Sequence, residues 1–233
     1  LHVLLSPAAA QHFRSLIENA LDFLDRAIDD LEKHPKFSLI NFYTAVELFL
    51  KARLMMEHWT LVVTNKQEPD IDKFTKGDFQ SVTLDGANDR LTRVIKSGLS
   101  TQEIKMFKEV ATHRNQMVHF FHVSSAKGEA EAIRRNVARQ QLTAWYVLHR
   151  IISVQWQPKF AKWESQIAKL DKRLRKQKEY LKIVFEQKND ELKDLASRGS
   201  QLLACPSCGF KAQVHERTLK EPYDAECIVC GLS

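Results

Sequence analysis

The chain has 233 residues, 44% of them apolar, and a formal charge of +6. That length allows one good core plus a small appended module, and the charge suits a polyanionic partner without demanding one. Seven glycines and six prolines, against four tryptophans and thirteen phenylalanines, favour helices over a turn-rich β fold. No apolar run approaches the eighteen or so residues of a membrane span and no signal peptide is evident, so no membrane association is expected. The first residue is Leu1 rather than Met, which reads as a trimmed piece of something longer.

In chain order, the first helix is expected to begin with Ser6 as its cap and Pro7 in its first turn. It carries Phe13, Leu16, Ile17, Ala20, Leu21, Leu24 and Ile28 at helical spacing to about Lys33, where His34-Pro35 closes it. A second helix carries Leu39, Phe42, Tyr43, Val46, Leu50 and Leu54 on one side and ends near His58 or Trp59. Residues 64–77 are polar and read as a loop or a short helix around 71–74. A third helix spans about 84–95, ending at Gly98. Ser100 and Glu103 have the spacing of a capping box and open a fourth helix, with Ile104, Phe107, Val110, Ala111 and Met117 at helical intervals. Residues 123–128 read as a turn. A fifth helix follows from about 129 to 152, through Ile133, Val137, Leu142, Trp145, Leu148 and Ile152, and ends before Pro158.

From Phe160 the pattern changes. Trp163, Ile167, Leu170, Leu174, Leu181, Val184 and Leu195 fall close to a three-four alternation, with no Gly or Pro until Gly199. This predicts one long helix with a coiled-coil-like seam, or an extended last helix of the bundle. Between Lys169 and Lys188 it carries eight bases against three acids, either a track for a phosphate backbone or a solvated face. The expected organisation is an all-α, up-and-down helical bundle over 1–157, a long basic helix or coiled-coil segment over 158–199, and a small metal-bound ribbon over 200–233.

The ribbon is read from cysteines. Cys205-Pro206-Ser207-Cys208-Gly209 and Cys227-Ile228-Val229-Cys230-Gly231 stand eighteen residues apart, the spacing of a four-cysteine zinc site. Two tight pairs argue for a metal in a reducing compartment, naturally the cytoplasm, rather than for a disulfide scaffold. The pairs resemble a zinc ribbon, two knuckles joined by short strands around Ala212-Gln213-Val214. Four sulfurs leave no open position, so Zn²⁺ here would be structural; iron is the alternative that four thiolates also suit. His215 is a further nitrogen donor in principle, although a surface histidine is the plainer reading.

Arg114-Asn115-Gln116-Met117-Val118-His119 lies at the end of the fourth helix. At about 100° per residue Asn115 and His119 share a face, and Arg114 must reach round on its long stem. Arg, four residues, then His, with Asn after the Arg, resembles the motif of the HEPN superfamily of helical ribonucleases and nucleotide-binding domains. The resemblance covers about residues 6–156. Ala45-Val46-Glu47-Leu48-Phe49-Leu50-Lys51-Ala52 is similar to the acidic second helix of many such domains. One position departs: in the toxins of HEPN/nucleotidyltransferase pairs a tyrosine stands two places after the histidine, and here that residue is Phe121.

The resemblance implies a metal-independent endoribonuclease. RNA carries its own nucleophile, the 2′-hydroxyl, and needs a proton acceptor, positive charge for the phosphorane and a proton donor for the leaving oxygen. His119 suits the proton transfers and Arg114 the charge, with Asn115 orienting His119 or the phosphate and Glu47 holding Arg114. One motif per chain implies a homodimer, with RNA as substrate, a toxin or phage-defence role, and an antitoxin or inhibitory partner protein. Plainer roles stand beside these. Arg114 can pair with Glu109, His119 can be a core histidine, and Glu47 and Lys51 can form an i,i+4 ion pair. His58, His113 and His122 read as packing or solvated residues. Two other classes remain: a non-catalytic HEPN-type nucleotide- or nucleic-acid-binding adaptor whose ribbon contacts a partner, and a zinc-ribbon regulator with the bundle as its dimerisation scaffold.

Overall fold

A helix that is apolar on nearly every side cannot rest on the surface of a bundle. The segment Pro35–Met55, α2, is such a helix, with Leu39, Phe42, Ala45, Val46, Phe49, Ala52 and Leu54 fully buried. The computed structural model describes residues 7–64, 68–119, 127–215 and 225–232, with side chains at 11–64, 68–118, 131–215 and 225–232. Two compact units divide it, residues 1–170 and 171–233. The expected middle segment 158–199 is thus shared between the units.

In the first unit α1 (Pro7–Asp29), α4 (Leu84–Arg90), α5 (Thr101–His119) and α6 (Lys127–Arg150) all pack on α2. Phe42 stacks on Trp145 of α6 with centroids 5.3 Å apart, and Phe49 meets Phe160 of α7 (Gln157–Phe160) edge-on at 5.8 Å. A buried polar chain threads the same core. Gln141 of α6 donates through Nε2 to Ser38 Oγ at 2.7 Å, and the Ser38 hydroxyl donates to the carbonyl of Ala27 in α1 at 2.7 Å. Both polar side chains are buried, so each hydrogen bond replaces water that cannot reach them.

Short elements have local causes. Pro35 starts α2, and the last turn of α1 tightens over residues 30–33, so α1 ends at Asp29 rather than Lys33. After Met55 the amide of Glu57 bonds three residues back to Leu54, which ends α2 short of His58, and a 3₁₀ turn Trp59–Val62 follows. Asp70 caps α3 (Ile71–Lys76) by accepting from the amides of Asp72 and Lys73, and Gly77 closes it in the left-handed region. The third expected helix appears as α4 followed by a π turn, Leu91–Ile95. Gly98 is required beyond it, because a Cβ there would lie 2.0 Å from Thr92 Oγ1.

The Ser100/Glu103 capping box forms as expected. Ser100 N–H donates to Glu103 Oε2 at 2.8 Å, and Glu103 N–H to Ser100 Oγ at 3.2 Å. Glu103 is only 3% exposed. Its other oxygen accepts from Arg150 Nη2 at 2.5 Å and Gln155 Nε2 at 3.0 Å, tying the start of α5 to the end of α6.

The long helix does not form. Residues 161–197 carry a 3₁₀ turn, then α8 (Glu164–Leu174), α9 (Lys178–Gln187) and α10 (Asn189–Ser197). The reason is Asp171, which is buried and accepts from Arg175 Nε at 2.5 Å and from the Tyr180 hydroxyl at 2.9 Å. In a straight helix residues nine apart lie on opposite faces, about 13.5 Å apart along the axis. The Tyr180–Asp171 bond therefore requires the chain to turn back after Leu174. Beyond the break Tyr180, Ile183, Val184 and Leu192 are buried, whereas Leu181 and Leu195 of the expected seam are only partly so. The second unit ends in an antiparallel sheet, β1 (Gln201–Ala204), β2 (Lys211–His215) and β3 (Ala225–Cys227), in the order β1-β2-β3. Mostly helical architecture with a small C-terminal sheet is what the chain has.

Ser38→Ala should destabilise the first unit by about 1–3 kcal/mol in urea denaturation, because it leaves the Gln141 amide buried without its acceptor. Gln141→Leu on top of Ser38→Ala should cost less than the two single changes added together, since the orphaned group goes too. Additive losses would show that the three-helix chain does not act as a unit.

Candidate functional site

Of the described motif residues, Arg114 is the one that reaches α2. The Arg114 guanidinium sits over the Tyr43 ring, 5.1 Å from its centroid, and donates through Nη1 to Asn115 Oδ1 at 2.8 Å. Tyr43 is 7% exposed, and its hydroxyl donates to Glu47 Oε1 at 3.3 Å, one turn along α2. Burial first, then the Glu47 charge, holds the Tyr43 phenol above its ordinary range, with Arg114 pulling the other way. The phenol therefore stays a hydrogen-bond donor at neutral pH. Asn115 is exposed and Arg114 partly so, with the cation over the aromatic ring.

Three of the four expected side chains thus converge. Glu47 reaches Arg114 through Tyr43; among the described residues the two make no ion pair. Nor does Glu47 pair with Lys51: burial lowers the Lys51 amine and Glu47 opposes it only through space. Arg114 does not pair with Glu109, which accepts from Gln140 Nε2 at 3.4 Å while His113 Nε2 meets Gln140 Oε1 at 2.6 Å. His119 closes α5, but its side chain lies outside the described residues, as do Phe121, His122 and residues 123–126 of the expected turn. Tyr43 was read as a core residue. Its i,i+4 spacing to Glu47 on an otherwise apolar helix was the available sign.

The four cysteines come together in the second unit. All ligand sulfurs lie within 4.8 Å of one another, with Cys205 Sγ 3.6 Å from Cys230 Sγ and Cys208 Sγ 3.7 Å from Cys227 Sγ. A tetrahedral ion with metal–sulfur bonds of about 2.3 Å sets its sulfurs about 3.8 Å apart, so the donors fit a four-thiolate metal. The two knuckles repeat one backbone pattern. Gly209 N–H donates to the Cys205 carbonyl at 2.8 Å and Gly231 N–H to that of Cys227 at 2.7 Å. Both glycines have φ near +75°, at 77° and 75°, where a side chain would be strained. Burial opposes the Cys205 thiolate, yet the amides of Cys208 and Ser207 hold its pKa at about 7; burial pushes Cys208 up to about 12 and raises Cys227. A cation that displaces these protons satisfies all four sulfurs together. His215 stands apart from the group.

In the sequence Arg175 belongs to the basic stretch that reads either as a phosphate track or as a solvated face. Instead its Nη1 donates to the carbonyl of Val229, inside the second knuckle, while its Nε holds Asp171. Lys172, Lys176, Lys178 and Lys182 of that stretch are exposed. Phe185 of α9 stacks on Phe210 of the first knuckle, centroids 4.8 Å apart, so helices and knuckles share one small core. Among the described residues no helix is long and apolar enough to cross a membrane.

No family model matches the chain, and neither does any curated protein or solved structure. Cys208→Ser should reduce the bound metal from one ion per chain to none by elemental analysis. It should also lose the Phe185–Phe210 ring-current shifts in NMR while the first unit keeps its helical signal, because the small core has too little apolar area to persist without the ion. A folded metal-free second unit would show that its helices and sheet suffice without the ion.

Proposed function

We propose that the protein is a metal-independent endoribonuclease whose reacting groups are Arg114 and His119. The observation that carries this reading is the seating of Arg114: a permanently charged fork, fixed between the Tyr43 ring and Asn115, partly exposed, with His119 at the end of the same helix. The motif's resemblance to HEPN ribonucleases supports it, as does the packing of the Glu47 helix α2 on α5.

In this mechanism a histidine accepts the 2′-hydroxyl proton as the 2′-oxygen attacks phosphorus. The P–O5′ bond breaks, and the departing 5′-oxygen takes a proton, leaving a 2′,3′-cyclic phosphate and a 5′-hydroxyl. Arg114 stabilises the charge on the non-bridging oxygens. Each chain offers one motif, so base and acid come from two copies and the active form is a homodimer. Among the described residues the four cysteines are the one group placed to hold a metal, and four thiolates leave it no open position. We take that ion as zinc in a structural role, supplying the second unit with a cross-link. A toxin or defence effector, restrained by a partner protein, is the setting that such an activity fits.

Purified protein should cut RNA in the presence of EDTA, leaving cyclic phosphate ends, and a 2′-deoxy substitution at the cut site should block the reaction. Arg114→Ala and His119→Ala should each lower the rate by at least about 10²-fold. RNA bound but uncut by wild-type protein would move the weight to a nucleic-acid-binding adaptor.

A further inference from the structure

Glu47 lies on α2 and Arg114 on α5, and the plain expectation is that carboxylate and guanidinium neutralise each other. The geometry places Tyr43 between them. Its hydroxyl takes the carboxylate and its ring takes the cation. We propose that Tyr43 is a positioning residue: its ring is the platform that seats the Arg114 guanidinium, and Glu47 serves to fix the ring. The inference rests on the ribonuclease reading for its catalytic consequence, while the platform itself stands on the contacts alone.

Three physical points support it. A guanidinium seated over an aromatic face has N–H groups left to point outward, whereas a bidentate carboxylate would occupy two of them. Asn115 Oδ1 takes one Nη1 hydrogen and gives the guanidinium a second point of attachment. Tyr43 is itself held rigidly, since it is buried in α2 and its phenol has a carboxylate acceptor one helical turn away. The Tyr43 hydroxyl bonded to Glu47 Oε1 keeps the ring from turning beneath the cation. An arginine seated this way has no carboxylate of the described residues paired with it.

Platform and ion pair differ in which variant breaks them. Tyr43→Phe keeps the ring and loses the hydroxyl; Glu47→Gln keeps an acceptor for the hydroxyl and loses the charge; Tyr43→Leu removes the platform. In ¹H–¹⁵N NMR of the full chain, the Arg114 Nε–H signal should be shifted upfield by the ring in wild type, Tyr43→Phe and Glu47→Gln, and return to the free-arginine position in Tyr43→Leu. RNA cleavage should fall about tenfold or more in kcat for Tyr43→Leu with little change in KM, and by less, about two- to fivefold, for Tyr43→Phe and Glu47→Gln, which loosen the ring without removing it. If Tyr43→Leu does not fold, as a melting curve would show, the other two variants still decide the matter. Loss of the upfield shift in Glu47→Gln, or its absence in wild type, overturns the platform. Absence of RNA cleavage in wild type overturns the ribonuclease reading and leaves the NMR result to judge the platform by itself.

Discussion

The first unit depends on enclosing α2. A helix with Leu54, Leu39, Phe49, Ala52 and Met55 buried around most of its circumference exposes apolar surface in any arrangement that leaves one of those sides open. Packing α1, α4, α5 and α6 about it is the response. The same enclosure makes the polar groups on α2 consequential. Ser38 and Tyr43 are cut off from water and must find partners in neighbouring helices or along their own, which they do through Ala27, Gln141 and Glu47.

The functional candidate grows from that constraint. Arg114 belongs to α5, yet what fixes its direction is a side chain of the buried helix. A surface arginine samples many rotamers and loses entropy on binding; one seated on a buried ring has lost it already on folding. Preorganised charge of this kind suits a transition state in which negative charge grows on phosphate oxygens. His113 is occupied differently, held with Gln140 and Glu109 against α6, so two adjacent positions of one helix are committed to separate neighbours.

The second unit solves the opposite problem, too little core. Its sheet has three short strands, and its helices α9 and α10 are ten and nine residues long. Elements of that size need a cross-link, and four thiols gathered at metal-ligand distances supply the place for one. Arg175 connects the two halves of the device. Its guanidinium spans the Asp171 carboxylate at the helix break and the Val229 carbonyl in a knuckle. Burial works against that charge, but Asp171 more than restores it and holds the guanidinium firmly protonated. A four-thiolate site with a divalent ion is negative, and a fixed cation beside its backbone is electrostatically matched to it.

Much of this was legible in the chain. The Ser100/Glu103 box and each cysteine pair depend on residues three positions apart, and local chemistry decides them whatever lies around. Helical periodicity likewise located α1, α2, α5 and α6 to within a few residues. The seam from Trp163 to Leu195 misled, because periodicity reports which residues are apolar and is silent about a buried carboxylate that draws in a tyrosine nine positions on. The partners of Glu103, Glu47 and Arg175 were hidden for the same reason. Sequence by itself determined α1, α2, α5 and α6, the Ser100/Glu103 cap and the two cysteine pairs. Only the tertiary structure decided that Tyr43 stands between Glu47 and Arg114, and that Arg175 faces the carbonyl of Val229 between the second pair of cysteines rather than solvent. A long polar side chain has many partners within reach, and burial is what leaves it one.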